Sequence, residues 1–130
     1  MAESYYLLIS VISSNQSRFE EALGMCGKAI SIHPHHAKLY AVKGGILLKM
    51  NRTTEALSVL EEAVRINSGI ASVHYNLGMA HMRLGNQARA ERAFRDVLLI
   101  DHDSTHAMFH LATVLQNSGD TEDVLEALKL

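Results

Sequence analysis

Residues 37–70 read AKLYAVKGGILLKMNRTTEALSVLEEAVRINSGI, and residues 71–104 read ASVHYNLGMAHMRLGNQARAERAFRDVLLIDHDS. Laid over each other, these 34-residue stretches put Gly44 on Gly78, Ala56 on Ala90, Leu60 on Phe94 and Ile66 on Ile100. The register runs outward in both directions. Ala22 and Val124 share the place of Ala56, Cys26 and Leu128 share that of Leu60, Ile32 precedes Ile66, and Ala112 follows Gly78. A fixed period of this length marks stacked supersecondary units, each too small to bury its own apolar face. It excludes most enzymes and points to a protein that holds other proteins. The repeats fall at 3–36, 37–70, 71–104 and a truncated 105–130, giving about 3.8 copies of 34 residues in the 130-residue chain, which reads as one repeat domain.

Each repeat reads as two helices. In 37–70 the second helix carries Ala56, Leu57, Leu60, Ala63 and Val64 at spacings of three and four, which form one apolar stripe. In 71–104 the equivalent stripe is Ala90, Ala93, Phe94, Val97 and Leu98. Thr53 or Thr54 is expected to cap the helix start, with Glu55 in its favourable first turn. Turns are expected at Asn15-Gln16-Ser17, Asn51-Arg52, Gly85-Asn86 and Gly119-Asp120. Gly44, Gly78 and Ala112 let paired helices approach closely.

These features resemble the tetratricopeptide repeat, a helix–turn–helix of 34 residues. Leu77-Gly78, Ala90, Phe94 and the Leu84-Gly85-Asn86 turn stand where that family's pattern expects them. The resemblance covers essentially the whole chain. It implies an all-α solenoid of antiparallel helix pairs wound as a right-handed superhelix. Some positions depart from the pattern. Tyr6 and Tyr40 hold the usual Trp place but His74 follows them, Ser68 and His102 replace the closing proline seen at Pro34, and Ser10 replaces the first-helix glycine. Lys43 lies where Leu is usual and is expected to reach water along its apolar stem.

Composition fits a folded helical array: 48% hydrophobic and 20% charged residues, with a formal net charge of −2. That charge is too near neutral to argue for nucleic acid or an anionic membrane. The lone cysteine, Cys26, requires no oxidising compartment and is expected in the core, so a cytoplasmic location is expected. The YYLLISVI start lacks preceding Lys or Arg and is too short to span a bilayer, so it reads as the first repeat's opening helix. That helix is apolar nearly all round (Tyr5, Leu7, Leu8, Ile9, Val11, Ile12), and the last ends at Leu128-Lys129-Leu130. Isolated arrays need polar outer faces. The alternative function is therefore an architectural one, as a segment of a longer array or a self-associating module.

In the resembled family the first helices line a groove that holds a peptide or a partner's helix. By that resemblance the inward places are Lys38, Ala41, Val42, Gly45, Leu48 and Lys49, then Ser72, Tyr75, Asn76, Met79, Met82 and Arg83, then His106, Phe109, His110, Thr113, Gln116 and Asn117. Of fourteen acidic residues, only Glu3 lies in a first helix, whereas Lys38, Lys43, Lys49 and Arg83 all do. A groove with cations and no facing carboxylates favours an acidic partner. Met79, Met82, Tyr75 and Phe109 are expected to turn outward as adaptable apolar contacts. The expected partner-binding residues are Lys38, Lys49, Tyr75, Asn76, Met79, Arg83, His106, Phe109, His110 and Thr113.

Two sharper versions of this groove are poorly matched. The carboxylate clamp of some co-chaperones wants Lys and Asn, then Asn, then Lys and Arg; only Asn76 fits, with Ala41, Gly45, His106 and His110 at the other places. An asparagine ladder is interrupted by Leu8, Val42 and His110. His106 and His110, four apart on one helix, could reach one ion, but a zinc site needs three or four ligands and these are two. No metal or other cofactor is expected. His74 and His81 are expected to pack between helices. If His106 and His110 contact an acidic ligand, affinity should rise as pH falls through about 6.5. No glycine-rich phosphate loop, zinc-protease helix or nucleophile elbow occurs, so catalysis is not expected.

Overall fold

The computed structural model describes residues 7–9 and 18–117, and these contain helices, turns and no strand. Residues 7–9 are helical. Six further helices follow: α1 (Phe19–Ile32), α2 (Ala37–Lys49), α3 (Thr53–Ile66), α4 (Ala71–Arg83), α5 (Gln87–Ile100) and α6 (Thr105–Asn117). Helices α2, α4 and α6 begin at 37, 71 and 105, and α1, α3 and α5 at 19, 53 and 87, so each set keeps the 34-residue step. The expected turns at 15–17 and 119–120, together with Val124 and Leu128, lie outside the described residues.

The chain forms two compact units, Met1–Ser68 and Gly69–Leu130. In the N-terminal unit Ile9, Ala22, Cys26, Ala29, Leu39 and Ile46 form the core. Burial pushes the Cys26 thiol up to about 11, which keeps it protonated and unreactive at neutral pH. The Tyr40 hydroxyl donates to the Pro34 carbonyl at 2.8 Å, tying α2 to the connection before it. In the C-terminal unit α5 contributes Ala90, Phe94, Val97 and Leu98, and α6 contributes Ala107, Leu111, Val114 and Leu115. The shared alanine place (Ala22, Ala56, Ala90) and the place of Cys26, Leu60 and Phe94 are fully buried.

Helix ends repeat as well as helix faces. After α2, Asn51 N–H bonds the Leu48 carbonyl at 3.0 Å and Arg52 N–H bonds Leu47 at 2.9 Å. After α4, Gly85 bonds Met82 at 3.2 Å and Asn86 bonds His81 at 2.8 Å. Both are Schellman closures, which require a left-handed residue just past the helix. Asn51 supplies it at φ 62° and Gly85 at φ 79°. Nothing lies within 4 Å of a Cβ added at Gly85, so its requirement is one of backbone conformation alone. Gly85→Ala is therefore expected to cost about 1–2 kcal/mol in urea denaturation.

Helix starts differ from expectation. Thr53 is already the first residue of α3, Arg52 is the N-cap, and no side chain caps the helix. Instead the Arg52 guanidinium donates to Glu55 at 3.0 and 2.6 Å. Arg18 and Glu21 make the same fork one repeat earlier, at 2.9 Å twice. That hydrogen bonding holds both carboxyls below their usual range, although these half-exposed pairs are screened by water. A hydroxyl cap does occur at α6, where Ala107 N–H donates to Ser104 Oγ at 3.2 Å.

Candidate functional site

In the C-terminal unit, aromatic rings gather on one side of α4. Gly78 has no side chain, which lets the Phe94 ring lie close against the helix: an added Cβ would sit 2.6 Å from its Cε1 and Cζ atoms. One turn earlier, Tyr75 meets Phe94 edge-on at 5.9 Å and 66° between ring centroids and planes. It also meets His106 at 6.5 Å and His110 at 5.5 Å, both edge-on. His110 stacks on Phe94 at 5.5 Å and 17°, and Phe109 meets its edge at 5.4 Å. Edge-to-face and offset-stacked contacts at these separations are favourable for ring quadrupoles.

Beside this cluster is an open pocket of about 300 Å³. Its walls include Ser72, Tyr75 and Asn76 from α4, Val97 and Asp101 at the end of α5, and His106 at the start of α6. The Tyr75 ring and Val97 offer apolar contact, and the Asn76 amide both donates and accepts. Asp101 accepts the Asp103 N–H at 3.2 Å through Oδ1.

The expected site residues are distributed unevenly. Tyr75, Asn76 and His106 line the pocket, and His110 and Phe109 join the ring cluster. Arg83 is exposed in the last turn of α4, roughly 12 Å along the axis from Tyr75 at a rise of about 1.5 Å per residue. Met79 is half-buried against the core. Thr113 donates its hydroxyl to the Phe109 carbonyl of its own helix at 2.9 Å. Lys38 and Lys49 are exposed at opposite ends of α2 in the N-terminal unit.

Several expectations need correction. Ala41 and Leu48, assigned to the groove, are buried. Tyr75, Met79 and Met82 do not turn fully outward but pack on the C-terminal core; only Phe109 among the four stands exposed. Asp101 was missed because it follows a second helix, while the register reading counted only first-helix places. It puts a carboxylate into a wall expected to carry none.

His74 and His81 are buried, and His74 Nδ1 lies 3.8 Å from the Asp96 carboxylate. His106 and His110 direct their rings to Tyr75, and no group of three or more His, Cys, Asp or Glu converges among the described residues. The histidine-rich turn at 33–36 borders a second open hollow, in the N-terminal unit. No helix among the described residues is long and apolar enough to cross a membrane.

Burial among the rings, and then His106, lowers the His110 pKa below the ordinary 6.5. Its charging therefore comes later on acidification than the sequence suggested. Linkage gives the sign: between 6.5 and the depressed native value the unfolded chain binds more protons, so stability falls as pH falls through that window. Raising pH above 6.5 restores it fully. His110→Phe is expected to flatten this dependence when urea midpoints are compared between neutral and mildly acidic buffers.

Comparison with known proteins fits this architecture. A tetratricopeptide repeat family model matches residues 15–71 and 47–108. The chain belongs to the tetratricopeptide repeat family. It is similar to the human "Protein O-mannosyl-transferase TMTC3", with 32% identity over 126 residues, 96% of this chain and 14% of that protein. It is also similar to the "Hsp70-Hsp90 organizing protein" of Triticum aestivum, 34% identical over 84 residues, covering 65% of this chain and 14% of that protein. The chain thus spans about one seventh of the length of these relatives. Among solved structures, the first tetratricopeptide domain of Spaghetti (RPAP3), bound to the HSP90 peptide SRMEEVD, superposes with a TM-score of 0.81. Identity there is 18%, over 89% of this chain and 94% of that one, a likeness of fold.

Proposed function

We propose that this chain is a non-catalytic binding module that takes an acidic, partly apolar segment of a partner protein, acting in the cytoplasm. The observation that carries the reading is the pocket of the C-terminal unit, where an aromatic wall and the Asn76 amide stand side by side. Such a combination suits a peptide: the ring covers an apolar side chain and the amide meets backbone or side-chain polar groups. Asp101 makes the pocket itself a poor place for a carboxylate. The acidic part of the ligand is therefore assigned to the exposed cation Arg83 of the same unit, and an uncharged side chain to the pocket. The peptide held by the Spaghetti domain, SRMEEVD, has this composition, with Met and Val among two Glu and one Asp. Binding in the micromolar range, about −8 kcal/mol, is typical of one short segment.

An array of acidic, neutral and basic peptides with matched apolar content tests the reading. Wild type is expected to retain acidic, apolar-containing peptides; Asn76→Ala and Arg83→Glu variants of equal helicity are expected to lose most of that signal. Equal retention by wild type and both variants would remove the pocket and Arg83 from the function.

A further inference from the structure

The second helices repeat their packed faces but not their outer ones. On the side of α5 opposite the buried Ala90, Phe94 and Val97, helical spacing lines up Arg89, Arg92, Arg95 and Leu99. One repeat earlier these places hold Glu55, Ser58, Glu61 and Arg65, and two repeats earlier Glu21, Gly24, Gly27 and Ser31. The third repeat thus exchanges acidic and small residues for arginines, and a polar residue at the far end for leucine.

The exchange also removes a local partner. Arg18 forks onto Glu21 and Arg52 onto Glu55, but Asn86 and Arg89 take those two places in the third repeat, and the fork is lost. Arg95 reaches Glu91 at 3.5 Å, whereas Arg89 and Arg92 are exposed and make no ion pair among the described residues. Leu99 stands 73% exposed on the same face.

Charge and width decide the occupant. Half-buried Glu91 and Asp96 border the stripe on its two sides, so a broad polyanion such as a nucleic acid or an anionic membrane would meet carboxylates as well as guanidiniums. A narrow ligand avoids them. Arg89 and Leu99 lie about 15 Å apart along the axis, at about 1.5 Å per residue, a span that one short helix covers. A second copy of this chain is a poor source of the carboxylates, because Glu21, Glu55 and Glu62 are already paired with Arg18, Arg52 and Arg65.

We propose that the outer face of α5 docks an acidic amphipathic helix of a partner protein, whose carboxylates meet Arg89, Arg92 and Arg95 and whose apolar residue covers Leu99. This surface is separate from the pocket, since Val97, which walls the pocket, is on the opposite side of α5.

Fluorescence anisotropy tests this with a labelled synthetic helix that carries Glu at places spaced three or four apart and Leu about ten residues past the first. Wild type is expected to bind it saturably, and more weakly as salt rises. An Arg89→Glu, Arg92→Glu variant of equal helicity is expected to bind at least about tenfold more weakly, and Leu99→Ser to weaken binding as well. A helix with Lys in place of Glu is expected to bind the charge-reversed variant better than wild type. Arg89→Gln, Arg92→Gln replaces that variant if it loses helicity. No saturable binding by wild type, equal binding of the Glu helix by wild type and variant, or no preference of the Lys helix would each overturn the proposal. So would arginine-dependent retention on phosphatidylserine vesicles in place of the helix, which would make a membrane the occupant. A wild-type mass that rises with concentration in sedimentation, but not in the variant, would overturn it in favour of a second copy.

Discussion

Phe94→Ala is expected to lower the stability of the C-terminal unit by about 3–5 kcal/mol, a larger effect than any other substitution proposed for this chain. The ring is fully buried and supports three things at once. It fills the space that Gly78 leaves on α4, gives Tyr75 an edge-on contact at 5.9 Å, and carries His110 in a stack at 5.5 Å. Its aromatic pairs add about 0.5–1.5 kcal/mol each to the area term. Truncation therefore leaves a cavity and also releases two residues that wall the pocket and its ring cluster. Amide hydrogen exchange is the direct measurement: protection should fall across α4, α5 and α6 while α1 to α3 serve as the internal comparison. Loss of less than about 1 kcal/mol would mean that the neighbouring rings collapse into the vacated space.

Gly78→Leu is expected to cost about 1–3 kcal/mol through the opposite fault, overpacking. A leucine gains somewhat less helix propensity over glycine than the about 0.8–1 kcal/mol that alanine gains, so the steric term must exceed that gain for the net loss to appear. It should exceed it, because Phe94 is held by Tyr75 and His110 and cannot swing away from a Cβ at 2.6 Å. Combining the substitutions gives a sharper test. When Gly78→Leu is made in the Phe94→Ala background, the new side chain enters space the ring has left. The double variant should then be less destabilised than the sum of the two by about 1 kcal/mol or more. Strict additivity in a thermal or urea series would show that the two positions do not share that space. Gly44 faces Leu60 in the same way, with an added Cβ 2.5 Å from Leu60 Cγ and Cδ2, but a leucine can rotate where a stacked ring cannot.

Periodicity was informative where a helix face decides the outcome. The spacing of Ala56, Leu60 and Ala63, or of Ala90, Phe94 and Val97, reports an angle around a helix, and those residues are buried. The turns at Asn51 and Gly85 were legible because left-handed backbone favours those residue types. Angle alone could not say how far a neighbouring helix covers a first-helix face, so Ala41 and Leu48 were assigned to a groove although they are buried. Nor could the sequence show that Arg52, rather than a threonine, precedes α3 and forks onto Glu55. Tyr75, Asn76 and His106 were singled out from the register and do line one pocket, whereas Asp101 entered it from a connection whose path no period describes.

The most extensively packed helix pairs among the described residues, α1 with α2, α2 with α3, α4 with α5 and α5 with α6, are neighbours along the chain. Only short loops must close for these contacts to form, which places such topologies among the fast folders, in the microsecond to millisecond range. Synthesis adds roughly 5–20 residues each second, so the stretch for one repeat takes about 2–7 s to emerge. Each helix pair thus has ample time to dock before the next is made. Structure is acquired in the order of translation, and the apolar stripe on a second helix waits only for the first helix of the next repeat, as α5 does for α6.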